Sequence, residues 1–233
     1  AHFIVLNNVF ATGKNSYEGR LTDDQLMFLK NDLAHVPKDV LVVLSQHIPM
    51  AFTRNKAEVL QQLEGYENVL LLSGHTHQVD RYFFKSHAIQ ELGAGATCGN
   101  WWRGEKDAFG VPDAMMQCGS PRGYFVINIK DNQYTFKYKA IGQDAQKQMH
   151  ITLNDGLLQA NIFGAGDSTK VMVQLNDGEW QQMQRWFVCS DFVFLSVFEQ
   201  QAAVHFFVQW RQRISKGQRK GSRIGIAALC LAP

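Results

Sequence analysis

"VLLLSGHTHQVD", residues 69–80, is the stretch on which the fold turns. Four aliphatic residues ending at a turn signal read as a strand buried on both faces. Ser73-Gly74 closes the run, and glycine admits backbone angles that other residues avoid. His75 and His77 therefore fall on the loop at a strand's carboxyl end, where α/β sheets tend to hold their ligands.

The same grammar extends toward the amino end. "HFIVLNNV" (2–9) reads as a strand that runs into a Gly/Asn/Ser-rich loop. "LTDDQLMFLKNDLAHV" (21–36) reads as a helix. Thr22 and Gln25 form a capping-box pattern, acids fill the first turn, and Leu26, Leu29 and Leu33 make one apolar face. "DVLVVLSQ" (39–46) is a second continuous apolar strand, ending at His47 with Pro49 two residues on. "KAEVLQQLEG" (56–65) is a helix stopped by Gly65. Strand, helix, strand, helix, strand over 80 residues argues for βαβ units in an α/β fold.

Beyond residue 80 the pattern turns to short strands: "RYFF", "HAIQEL", "GYFVINI" and "YTFKYKAI". They read as an antiparallel meander with a turn at "KDNQ" (130–133), interrupted by a long Gly-rich loop over 93–122. From about residue 143 alternating segments such as "QMHITL" and "KVMVQLNDGEW" indicate a small all-β sandwich, with "NDG" (176–178) as a hairpin turn. The expected organisation is thus an α/β unit over 1–142 and a β-sandwich over 143–233.

Composition narrows the function classes. The chain has 233 residues, 45% hydrophobic and 19% charged, an ordinary globular balance. A net charge of +2 makes no general case for nucleic acid. No apolar stretch reaches the roughly 18 residues that span a bilayer, so no transmembrane segment is expected. "AHFIVLNNVF" lacks the features of an intact signal peptide and reads as a strand inside a fold. The four cysteines have no CxxC spacing, which argues against a zinc knuckle; Cys98 and Cys118 either pair or stay as thiols. The basic run at 209–223 reads as a solvated end rather than a nucleic-acid site.

His47, His75 and His77 carry the chemistry. If their two strands are neighbours, all three imidazoles reach one end of one sheet, and neutral imidazole is the commonest protein metal ligand. In an extended loop residues 75 and 77 point the same way, roughly 6–7 Å apart. That spacing suits one ligand for each of two ions about 3.5–4 Å apart. The plainer alternative is three unrelated polar loop residues. Trp101, Trp102 and Arg103 stand on the Gly-rich loop and either wall a substrate cleft or staple the loop to the core. Asp80 is a candidate acceptor for a histidine N–H.

"SQHIPM" (45–50) followed by "LLSGHTHQVD" (71–80) resembles the last two metal motifs of the calcineurin-like metallophosphoesterases: a strand-end His often followed by x-Pro, then Gly-His-x-His. The later run of "ELGAGATCGNWWRG", "QCGSPRGY" and "YTFKYKAIG" resembles bacterial members with an appended C-terminal β domain. The resemblance implies the second half of a four-layer αββα sandwich. It also implies hydrolysis of a phosphate ester with two divalent ions (Mn, Fe or Zn), His47 and His75 serving one ion and His77 the other. By the same resemblance the setting is the periplasm or cell surface. Three family motifs, Asp-x-His, Gly-Asp-x-x-Asp and Gly-Asn-His-Asp/Glu, are not in this sequence. The chain therefore reads as the C-terminal part of a longer enzyme, weak or inactive alone. Past "NDGEWQQMQR" (176–185) the resemblance fades, which predicts loss of order after about residue 186. The rival expectation is a non-catalytic binding or adhesion module for carbohydrate or protein, using exposed aromatics such as Trp180 beside a relic catalytic domain.

Overall fold

The segments that read as continuous apolar runs form the middle of a mixed sheet, because only a strand covered on both sides can hide every side chain. The computed structural model describes residues 1–86, 88–99, 116, 118–154, 157–166, 169–175, 178–188, 203–209 and 226–231. Its first half contains β1 (His2–Val5), β2 (Val9–Gly13), β3 (Ser16–Gly19), α1 (Asp23–Leu33), β4 (Val42–Ser45), α2 (Lys56–Gln62), β5 (Val69–Ser73), β6 (Val79–Phe84) and β7 (Ile89–Ala94). Five of these strands form one sheet in the order β1-β4-β5-β7-β6. β1, β4, β5 and β7 run parallel, and β6 is antiparallel to β7.

Alternation along each strand assigns the two faces. Val42 and Leu44 of β4, with Val69 and Leu71 of β5, pack against Leu26, Leu29 and Leu33 of α1 and Val59 and Leu60 of α2. Leu41, Val43 and Leu70 turn the other way. They meet Phe125, Ile127, Ile129, Tyr134 and Phe136 from a hairpin of β8 (Gly123–Lys130) and β9 (Gln133–Ala140). The observed layers are thus helices, a mixed sheet and a two-stranded sheet.

The helix signals are realised with one change. Thr22 Oγ1 accepts the Gln25 amide at 3.3 Å, as the capping pattern requires. The Gln25 side chain does not reach back to Thr22; it exchanges hydrogen bonds with the Asn7 backbone, accepting at 2.8 Å and donating at 2.7 Å. One helix start is thereby fastened to the end of β1. Gly65, at φ +80°, ends the α2 segment as expected.

Two expectations change. The loop after β1 contains the β2–β3 hairpin, whose far end returns to the loop behind His47 through a bridge from Gly19 to Thr53. A Cβ at Gly19 would stand 2.8 Å from the Phe52 carbonyl oxygen, so the close approach needs glycine. The segments after residue 80 are not one meander, since β7 lies between β5 and β6. β7 buries Ile89 toward the helices and Leu92 toward the hairpin, whereas β6 carries Asp80 and Arg81 and suits the edge. Among the described residues, two strands follow residue 188. β15 (Ala203–Gln209) pairs with β11 (Leu157–Ile162) and β14 (Gln184–Val188). β16 (Ile226–Leu231) pairs with β12 (Lys170–Leu175).

The strands after residue 143 make two sheets. One has the order β10-β11-β15-β14, with β10 at Met149–Asn154; the other has the order β13-β12-β16, with β13 at Gln181–Gln182. Leu158, Ala160, Ile162, Val171, Val173 and Met183 form their shared core. A second apolar cluster of Val79, Met116, Cys118, Tyr138, Ala140 and Phe163 joins these sheets to the hairpin and to β6. Asn161 donates to the Gly119 carbonyl at 2.6 Å and Gln148 to that of Tyr138 at 2.7 Å across the same seam. Among the described residues no helix is long and apolar enough to cross a membrane.

Candidate metal centre

His47 follows β4 and His75 follows β5, and β4 and β5 are adjacent and parallel. Their carboxyl ends therefore deliver the two imidazoles side by side. Nδ1 of His75 lies 3.2 Å from Nε2 of His47, with the ring centroids 5.0 Å apart and the planes at 74°. The backbones are tied as well, since the Gly74 amide donates to the His47 carbonyl at 3.0 Å. Tyr17 of β3 sets its ring against His75, with centroids 5.7 Å apart in an edge geometry.

The turn that aims these rings differs from the expected extended loop. His75 and His77 themselves adopt left-handed backbone, at φ 68° and 54°, while Gly74 is not among the positive-φ glycines. Left-handed backbone costs a side-chain-bearing residue roughly 1–2 kcal/mol. Two such residues flanking Thr76 concentrate backbone strain at the candidate site. Alternation along a strand thus does not explain where the rings point.

His77 takes its own direction. Its Nδ1 lies 3.0 Å from the Gly99 carbonyl oxygen. A carbonyl only accepts, so Nδ1 carries the proton and Nε2 is the lone-pair nitrogen. Asp80, considered as an acceptor for a histidine, is engaged by the Tyr82 hydroxyl at 3.0 Å. Burial pushes its carboxyl up from the usual range, with the Tyr82 bond opposing. His75 shifts down, first through burial and then through the neighbouring His47 and His77, which favours the neutral, ligand-competent ring.

Two residues that the sequence did not single out hold the His47 loop. Asn8, fully buried, accepts the Ile48 amide at 2.9 Å and donates to the Ile48 carbonyl at 2.7 Å and to Thr53 Oγ1 at 3.1 Å. Glu91, fully buried on β7, accepts the Met50 amide with both carboxylate oxygens at 2.8 and 3.1 Å. Neither residue had a sequence signal, because both act across about 40 intervening residues.

The donor set fits a metal ion in part. Two imidazole nitrogens about 2.1 Å from one ion stand roughly 3.0–3.4 Å apart for angles between right and tetrahedral. The His47–His75 separation falls within that window. Among the described residues no group of three or more His, Cys, Asp or Glu is assembled to hold an ion. Trp101, Trp102 and Arg103 lie outside the described residues. Cys98 and Cys118 are both free thiols, and Cys118 Sγ accepts the Val79 amide at 3.3 Å.

Residues 91–220, more than half of the chain, match the family described as the C terminal of calcineurin-like phosphoesterase. The chain belongs to that family. The match begins at Glu91, so the three histidines lie outside it and add a separate line of argument. It also runs past residue 186, in keeping with the strands found there. A search of curated proteins finds no match. The family association links the chain to phosphoesterases, which generally use metal ions.

Proposed function

We propose that this chain provides the histidine side of a two-metal phosphoesterase site. The carrying observation is the 3.2 Å approach of His47 and His75 at the ends of neighbouring parallel strands. His47 Nε2 and His75 Nδ1 would hold one ion, and His77 Nε2 would serve the second. A bound divalent metal supplies charge neutralisation for phosphoryl oxygens. The chain's own part is to orient the rings: Gly99 fixes the His77 tautomer, Asn8 holds the His47 loop, and the Gly74 amide joins the two loops. Trp101, Trp102 and Arg103 are proposed to contact the phosphate-ester substrate. In this reading the helices, mixed sheet and β8–β9 hairpin form part of the four-layer sandwich, and the strands after residue 143 form an appended β domain.

The carboxylate motifs of the resembled enzymes are not in this sequence, so the isolated chain is expected to bind metal with little or no hydrolysis. The non-catalytic reading draws on Trp180, which is 45% exposed, but a lone aromatic does not define a ligand. Metal content after equilibration with Mn²⁺ or Zn²⁺ tests the proposal. The reading requires about one ion per chain, lost in a His75→Ala/His77→Ala variant. Binding that survives the double substitution contradicts it.

A further inference from the structure

Glu91 has no solvent exposure, although it lies in a strand whose neighbours Ile89 and Leu92 are core residues. An unpartnered buried carboxylate costs several kcal/mol, so its contacts need a reason. Both oxygens receive the Met50 amide, and the Ala51 amide also favours the ionised form. The Ser73 hydroxyl lies beside the carboxylate, near enough to favour its charge but without full hydrogen-bond geometry. Met50 comes three residues after His47, and Ser73 comes two residues before His75. One side chain therefore touches both segments that carry the paired imidazoles.

We infer that Glu91 is a positioning residue that sets the separation of His47 and His75 by fixing the turn at Met50 against the end of β5. The inference rests on the reading of those histidines as ligands. The mechanism is reach rather than charge. The carboxylate spans from β7, past the end of β5, to an amide in the turn beyond β4. A glutamine at 91 keeps an oxygen at the same distance, whereas an aspartate is one methylene too short to meet the Met50 amide. Outer partners of metal ligands typically change affinity 10–100-fold when removed.

The test compares wild type, Glu91→Gln and Glu91→Asp in the full chain. Zn²⁺ affinity is read by titration calorimetry, and the ring ¹⁵N shifts of His47 and His75 are read in metal-free protein. Circular dichroism selects folded variants. The inference requires Glu91→Asp to lose about tenfold or more in affinity and to move the ring shifts, with Glu91→Gln within about threefold of wild type and its shifts unmoved. Glu91→Asp matching wild type in both readouts overturns it, and so does Glu91→Gln failing as badly as Glu91→Asp. Should Glu91→Asp not fold, a Glu91→Gln variant with displaced ring shifts is by itself contrary. A wild-type chain that binds no Zn²⁺ through its histidines removes the ligand reading instead, and the ring shifts still decide whether Glu91 orients them.

Discussion

Nδ1 of His75 stands 3.2 Å from Nε2 of His47, although 27 residues separate the two in sequence. Two parallel neighbouring strands and a shared backbone hydrogen bond from Gly74 bring them there. The geometry is achieved at a backbone cost, because His75 and His77 are left-handed.

That cost predicts a split between stability and binding. His75→Gly should be more stable than His75→Ala by about 1 kcal/mol, since glycine adopts φ 68° without Cβ strain. Both variants should lose the same metal affinity. Urea unfolding of the two, with Zn²⁺ titrations, checks the pair. Equal stabilities would mean that the turn carries no strain.

Asn8 should matter to both fold and site. Its amide makes three hydrogen bonds to the Ile48 backbone and Thr53, all buried. Asn8→Ala leaves those groups unsatisfied and should cost on the order of 2–4 kcal/mol. Chemical denaturation measures the loss, and metal affinity should weaken in parallel because the His47 loop is freed. A variant with unchanged stability would contradict the role.

Glu91 predicts a pH dependence. Burial, the largest cause, pushes its carboxyl from 4.5 up to about 6, with the Met50 amide opposing and Asp80 reinforcing. Asp80 and Tyr82 of β6 face it, and burial shifts both of them upward too. A raised folded value means that the native chain binds this proton more tightly than the unfolded chain does. Its contribution to stability is therefore present below about pH 4.5 and is lost as pH rises through about 6. Between about pH 4.5 and 7 wild type should lose ~1–2 kcal/mol more than Glu91→Gln. Parallel stability curves for the two would refute the assignment.

Thr22 gives a control far from the site. Its hydroxyl accepts the Gln25 amide at the start of α1, so Thr22→Ala should cost about 1 kcal/mol and leave metal binding unchanged. Thermal melts and the Zn²⁺ titration read the two effects separately. A loss of binding would mean that α1 and the histidine loops are coupled more tightly than their contacts indicate.

Local signals made much of this legible. The Leu26/Leu29/Leu33 spacing placed α1, the continuous apolar runs placed β4 and β5, and the two-residue turn at Asp131–Asn132 placed the β8–β9 hairpin. The position of both histidines at strand ends followed from the same runs. What escaped was non-local. The insertion of β7 between β5 and β6 depends on which strand can be buried twice, a comparison between segments rather than a pattern within one. Asn8 and Glu91 grip the turn after His47 from 40 residues before Ile48 and 41 residues after Met50, and neither carries a motif. The left-handed backbone also escaped, because Gly74 is the residue that tolerates such angles most easily, yet His75 and His77 adopt them in place of an extended loop.

The most direct measurement of the central claim is the proton spectrum of the chain loaded with Co²⁺. The His47–His75 arrangement predicts strongly shifted, solvent-exchangeable imidazole N–H signals that disappear in either His47→Ala or His75→Ala. Shifted signals that persist in both variants, or none at all in wild type, would contradict a shared ion at this pair.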